Sequence, residues 1–144
     1  MPADDLATIM ARAADRFVEA INGDSPGTLD YSQKSVSRLD SLIDVAWPRG
    51  PSEETLEYTL PLMAAYVGEV IRRNLGGTWV MDVSQGGPAL EYRHQRVFPY
   101  NRVGKRLTQV PQSSLGLFCS ELRKIWLEDQ TPQSRGWYKR RNAT

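Results

Sequence analysis

Arg72-Arg73-Asn74-Leu75-Gly76-Gly77-Thr78-Trp79-Val80-Met81-Asp82-Val83 is the stretch in which the chain changes its period. Before it, apolar residues recur every three or four positions, as on one face of a helix. After it they alternate, with Trp79, Met81 and Val83 set for one face of a strand. Gly76-Gly77 stands between the two regimes as a helix stop.

The same boundary divides the charge. Met1 to Arg72 carries twelve Asp/Glu against six Lys/Arg, a formal −6, and Arg73 to Thr144 carries five against twelve, a formal +7. The net +1 of the whole chain conceals this dipole. Such a split fits either a charged surface used for binding or two layers that attract each other.

Upstream, the pattern predicts three helices. The first covers about Asp5 to Ile21, with Leu6, Ile9, Met10, Ala13, Phe17 and Ile21 on its apolar face and Asp4 or Asp5 as N-cap. Asp24 to Thr28 reads as a loop. The second covers about Ser32 to Trp47, capped by Ser32 and ended by Pro48 and Gly50. The third starts at Ser52 with Glu53-Glu54 in its first turn and continues to Leu75. Pro61 lies inside it and is expected to kink or split it, because proline lacks an N–H and crowds the preceding turn.

Downstream, Thr78 to Val83, Ala89 to Arg93 and Arg96 to Phe98 read as a three-stranded antiparallel meander, with turns at Ser84–Pro88 and His94-Gln95. Pro99 closes it. A short helix over Asn101 to Leu107, bounded by Pro111, and a long one from Ser113 or Ser114 to Leu127 follow. The long one presents Leu115, Phe118, Cys119, Leu122, Ile125 and Trp126 to a core. The fold class is therefore α+β, one domain over 1–128, with a basic and mobile tail expected over 129–144.

Composition narrows the function. One Cys and one His exclude a zinc site built on several of either, and a lone Cys fits a reducing, cytoplasmic setting. Met1 is followed by Pro2 and Asp4-Asp5, which gives no secretory pattern, and no apolar run approaches the ~20 residues of a membrane span. There is no phosphate-binding glycine loop and no nucleophile elbow. No cofactor or metal is expected.

Several residues invite chemistry, and each has a plainer reading. Tyr66 and Glu69 beside Gly68 could line an enzyme cleft with a base such as Arg106; alternatively Glu69 pairs with Arg72 and Arg73 on the surface. Asp30, Asp40 and Asp44 could gather a cation, or could cap helices and pair with bases of the second half. His94 falls in a turn between Arg93 and Arg96, where a solvated role is expected. Cys119 has core spacing.

The basic residues Arg93, Arg96, Arg102, Lys105 and Arg106 interleave with Tyr92, Phe98 and Tyr100, and the tail adds Trp137, Tyr138 and more Lys/Arg. This is the composition of protein-interface anchors and also of nucleic-acid surfaces. A pI near 7.9 and an acidic half weigh against nucleic acid. The leading expectation is a non-enzymatic binding or regulatory protein that meets a protein partner or a second copy of itself. An immunity protein or an accessory factor of a bacterial secretion or defence locus fits that description.

Three stretches carry a resemblance: Leu29-Asp30-Tyr31-Ser32 leading to Ile43-Asp44; Tyr66-Val67-Gly68-Glu69 leading through Gly76-Gly77 to Trp79; and Val97-Phe98-Pro99 before Val103-Gly104-Lys105-Arg106. Together they resemble small bacterial, largely actinobacterial, families of domains of unknown function. The resemblance implies an α+β fold and a bacterial cytoplasmic setting, and brings no activity with it.

Overall fold

The computed structural model describes residues 5–23, 27–108 and 114–128. The loop residues 24–26, Pro111 and Ser113, and the tail 129–144 lie outside that range. Three helices come first: α1 (Leu6–Asn22), α2 (Gln33–Ala46) and α3 (Glu53–Asn74). An antiparallel sheet follows, β1 (Thr78–Asp82), β2 (Gly87–Tyr92) and β3 (Gln95–Val97), in the order β1-β2-β3. Helices α4 (Pro99–Thr108) and α5 (Leu115–Glu128) complete the α+β arrangement.

Each N-terminal helix begins where its capping side chain stands. Asp5 accepts from the Thr8 N–H at 2.8 Å, Ser32 from Ser35 at 3.2 Å and Ser52 from Thr55 at 3.2 Å. Pro61 does not split α3, which continues unbroken through it. The proline sits on an exposed face, and the turns after it are packed in the core.

Helix α3 is the central element. From Met63 to Ile71 every residue is buried, with α1 and α4 packed against it. This corrects the surface placement expected for Glu69: a helix covered on all sides leaves no polar face over those turns. Gly76 and Gly77, at φ 110° and 109°, then turn the chain into β1, a conformation open to glycine at little cost.

The sheet departs from the sequence reading in three places. Trp79 is buried, but Met81 and Val83 are exposed, and Val83 already belongs to a short 3-10 turn. The β2–β3 turn falls on Arg93-His94, not His94-Gln95; both have positive φ, as a two-residue hairpin turn demands. Pro99 opens α4 instead of merely ending the strand, a first-turn position where its missing N–H costs nothing. On α5, Ile125 is half exposed while Leu115, Cys119, Leu122 and Trp126 are buried as expected. Trp126 stacks on Tyr92 of β2 at 4.8 Å, which ties α5 to the sheet. No helix among the described residues is long and apolar enough to cross a membrane.

Candidate functional site

The residues singled out in the sequence separate into three places. The first is the interior of α3. Glu69 is fully buried, and its carboxylate accepts from Arg72 Nε at 2.7 Å, Arg73 Nη2 at 3.1 Å and Trp79 Nε1 at 2.8 Å. Burial by itself would raise its pKa; the hydrogen bonds from Arg72 and Trp79 and the charge of Arg72 outweigh it and hold the carboxyl below its ordinary value. The expected pairing with Arg72 and Arg73 is thus present, but inside the protein.

Tyr66 is also fully buried. Its hydroxyl meets Ser35 Oγ and accepts from the Tyr31 N–H at 3.1 Å. The Tyr31 backbone is at φ 64°, its ring lies 5.1 Å from that of Tyr66, and the Arg73 guanidinium stands 3.7 Å over its other face. Tyr66 and Glu69 are thus joined only indirectly, through Arg73 and Tyr31, and neither has surface with which to line a cleft.

Replacement of Glu69 by Gln is expected to destabilise the fold by about 1–3 kcal/mol at neutral pH. Because the folded carboxyl titrates lower than the unfolded one, its contribution is complete above the unfolded pKa and fades as pH falls through the folded value. Urea midpoints of wild type and Glu69→Gln should accordingly converge below about pH 4. A gap that stays constant into acid would mean that folding leaves the Glu69 pKa where it stands in the unfolded chain.

The second place joins the two halves of the chain. Arg106 is buried, and its guanidinium donates to Asp40 Oδ1 at 3.0 Å, the Asp40 carbonyl at 3.1 Å and Asp44 Oδ1 at 2.8 Å. Burial pulls the Arg106 pKa down, and the two carboxylates more than offset it, for a net rise. Asp40 also accepts from Ser114 Oγ and from the Leu115 and Gly116 N–H groups, at 2.9, 3.0 and 2.9 Å. It thereby caps α5 from a different helix. Asp30 instead closes its own turn onto the Ser32 N–H at 3.0 Å. Arg106 is a structural cation, which removes it from any exposed binding set.

Cys119 is buried against this region, and burial pushes its thiol up to about 12, a poor nucleophile at neutral pH. No group of three or more His, Cys, Asp or Glu side chains placed to hold a metal occurs among the described residues.

The third place is a groove of about 240 Å³ between β3, α4 and α5, lined by Arg96, Phe98, Asn101, Arg102, Lys105 and Phe118. Arg96 is already matched there, by Asp82 at 3.0 Å and Glu91 at 2.8 Å. Arg102 lies over the Phe118 ring at 4.6 Å and, among the described residues, forms no ion pair. Lys105 is exposed and, among the described residues, forms no ion pair. Arg93, exposed at the β2–β3 turn, stands over the Tyr92 ring at 5.5 Å and lies outside the groove. Arg96, Arg102 and Lys105 are thus brought together as the sequence suggested, whereas Tyr66, Glu69 and Arg106 are drawn into the interior. Phe118, read as a core residue of the last helix, supplies part of the groove wall.

Comparison with family models, with curated proteins and with solved structures finds no match for this chain.

Proposed function

We propose that this is a non-enzymatic binding protein that meets a protein partner through the basic groove beside α4. The observation that carries this reading is where the charges end up. The acid and hydroxyl best suited to chemistry, Glu69 and Tyr66, are buried and bonded, while Arg102 and Lys105 keep cationic charge in an open groove. Two like charges side by side, with no ion pair among the described residues, give a partner's acids a place to dock. Regulation of another bacterial protein, as by an immunity or accessory factor, is the role this reading favours.

Affinity capture from the native host, run in parallel with wild type and with Arg102→Glu/Lys105→Glu, tests it. A defined protein retained by wild type and lost with the charge reversal is the expected result. Retention of the same proteins by both would show that the groove is not the contact.

A further inference from the structure

The groove does not lie alone. It adjoins a second concavity of about 200 Å³ at the start of α4, with which it shares Phe98 and Asn101. A third, of about 400 Å³, lies on the other flank of α4 and shares Asn101 and Lys105. Asn101 and Lys105, one helical turn apart, thus form a ridge with a basic, aromatic trough on one side. The apolar side chains of Leu56 and Leu60 form a shelf on the other side. The Asn101 carboxamide is exposed and forms no hydrogen bond among the described residues, so both its donor and its acceptor are available on the crest.

A run of linked concavities is longer than a small metabolite needs and suits an extended chain. Three features distinguish which kind. The Phe118 face, the natural platform for a nucleobase, is covered by the Arg102 guanidinium. Among the described residues the stacked guanidinium donates no hydrogen bond, so its N–H edge can grip a carboxylate side-on. An amide on the ridge matches the alternating donors and acceptors of a peptide backbone. Resting on the reading of the groove as a protein contact, we infer that its occupant is an acidic peptide segment of the partner. One carboxylate of that segment meets Arg102 and Lys105, an adjacent apolar side chain rests against Val97 and Phe98, and the backbone crosses at Asn101.

Selection from a random-sequence peptide library displayed on phage tests the chemistry without knowledge of the partner. Wild type is the bait and Arg102→Glu/Lys105→Glu the counter-bait. Enriched sequences should pair Asp/Glu with a large apolar residue. Synthesised as labelled peptides, they should bind less tightly by about tenfold or more to the charge-reversed variant, and progressively less tightly as salt rises. Asn101→Ala, at an exposed position, should also weaken them. Enrichment of sequences without acids, or equal binding to wild type and counter-bait, overturns the inference. So does a labelled single-stranded oligonucleotide that binds the groove more tightly than any selected peptide. A selection that fails while host capture remains sensitive to charge reversal removes the acidic peptide and leaves the protein-binding reading. Acidic peptides with no charge-sensitive host partner do the reverse.

Discussion

Asp40→Ala should unfold this protein more readily than any other single change to an exposed or half-exposed acid, with an expected loss of about 3–5 kcal/mol. Its carboxylate is the point where three helices meet. It neutralises Arg106 of α4 and closes the first N–H groups of α5 through Leu115 and Gly116, all from the middle of α2. Removing it leaves a nearly buried guanidinium with one carboxylate, Asp44, whose side chain is 67% exposed. It also opens the start of α5, where the partial positive charge of the helix end faces the missing anion. Asp44→Ala provides the contrast: a solvent-screened ion pair is worth about 0–1 kcal/mol, so the two variants should be well separated in urea midpoint. Equal, small losses would show that Arg106 is satisfied by solvent and that the contact between the halves carries little of the stability.

The same cluster shows what the charge division along the chain is for. Attraction between the acidic helices and the basic half is real, and Arg106 with Asp40 and Asp44 is its buried centre. It consumes only part of the division. Glu53, Glu54 and Glu57 on α3, and Lys105, Arg123 and Lys124 on α4 and α5, are exposed. Arg96 finds its acids within its own half. The surface therefore keeps exposed charge that the contact between the halves does not consume.

Local signals read well from the chain, and long-range ones did not. Caps at Asp5, Ser32 and Ser52, the stop at Gly76-Gly77 and the change of period at Thr78 depend on neighbours within a few positions, and each stands where the sequence puts it. Pro61 does not divide α3 as its sequence position allowed, because a packed helix tolerates a lost hydrogen bond that an isolated one would not. Glu69 misled for a related reason: a helical wheel has one solvent side only if the helix lies on a surface, and α3 does not. Arg106 carries no local mark of its burial, since its partners lie 62 and 66 positions away. One signal was available for the capping by Asp40. Gly116, the second residue of α5, leaves no room for more: a Cβ there would stand 2.5 Å from Ser37 Oγ.

Gly68 is the second position where a small change should have a large effect. A Cβ at this residue would lie 2.1 and 2.3 Å from two carbons of the Trp79 indole, closer than any non-bonded contact allows, with Pro99 a further 3.3 Å away. The indole cannot simply swing aside, because its Nε1–H is fixed to the Glu69 carboxylate one residue along the same helix. Gly68→Ala would gain about 1 kcal/mol in helix propensity. Against that stands overpacking of a rigid ring, ordinarily about 1–3 kcal/mol, together with loss of the bond to a buried carboxylate, about 1–3 kcal/mol more. The net expectation is a destabilisation of about 2–4 kcal/mol. A change in the intrinsic fluorescence of Trp79 should accompany it as the ring leaves its carboxylate partner. Gly68→Ala/Trp79→Phe separates the causes. The smaller ring relieves the clash, so the double variant should be less unstable than the sum of the two single changes, and additivity would mean that α3 and β1 yield without contact between these two residues. Glycine at 68 is thus what lets the sheet approach the central helix closely enough for tryptophan to reach the buried acid.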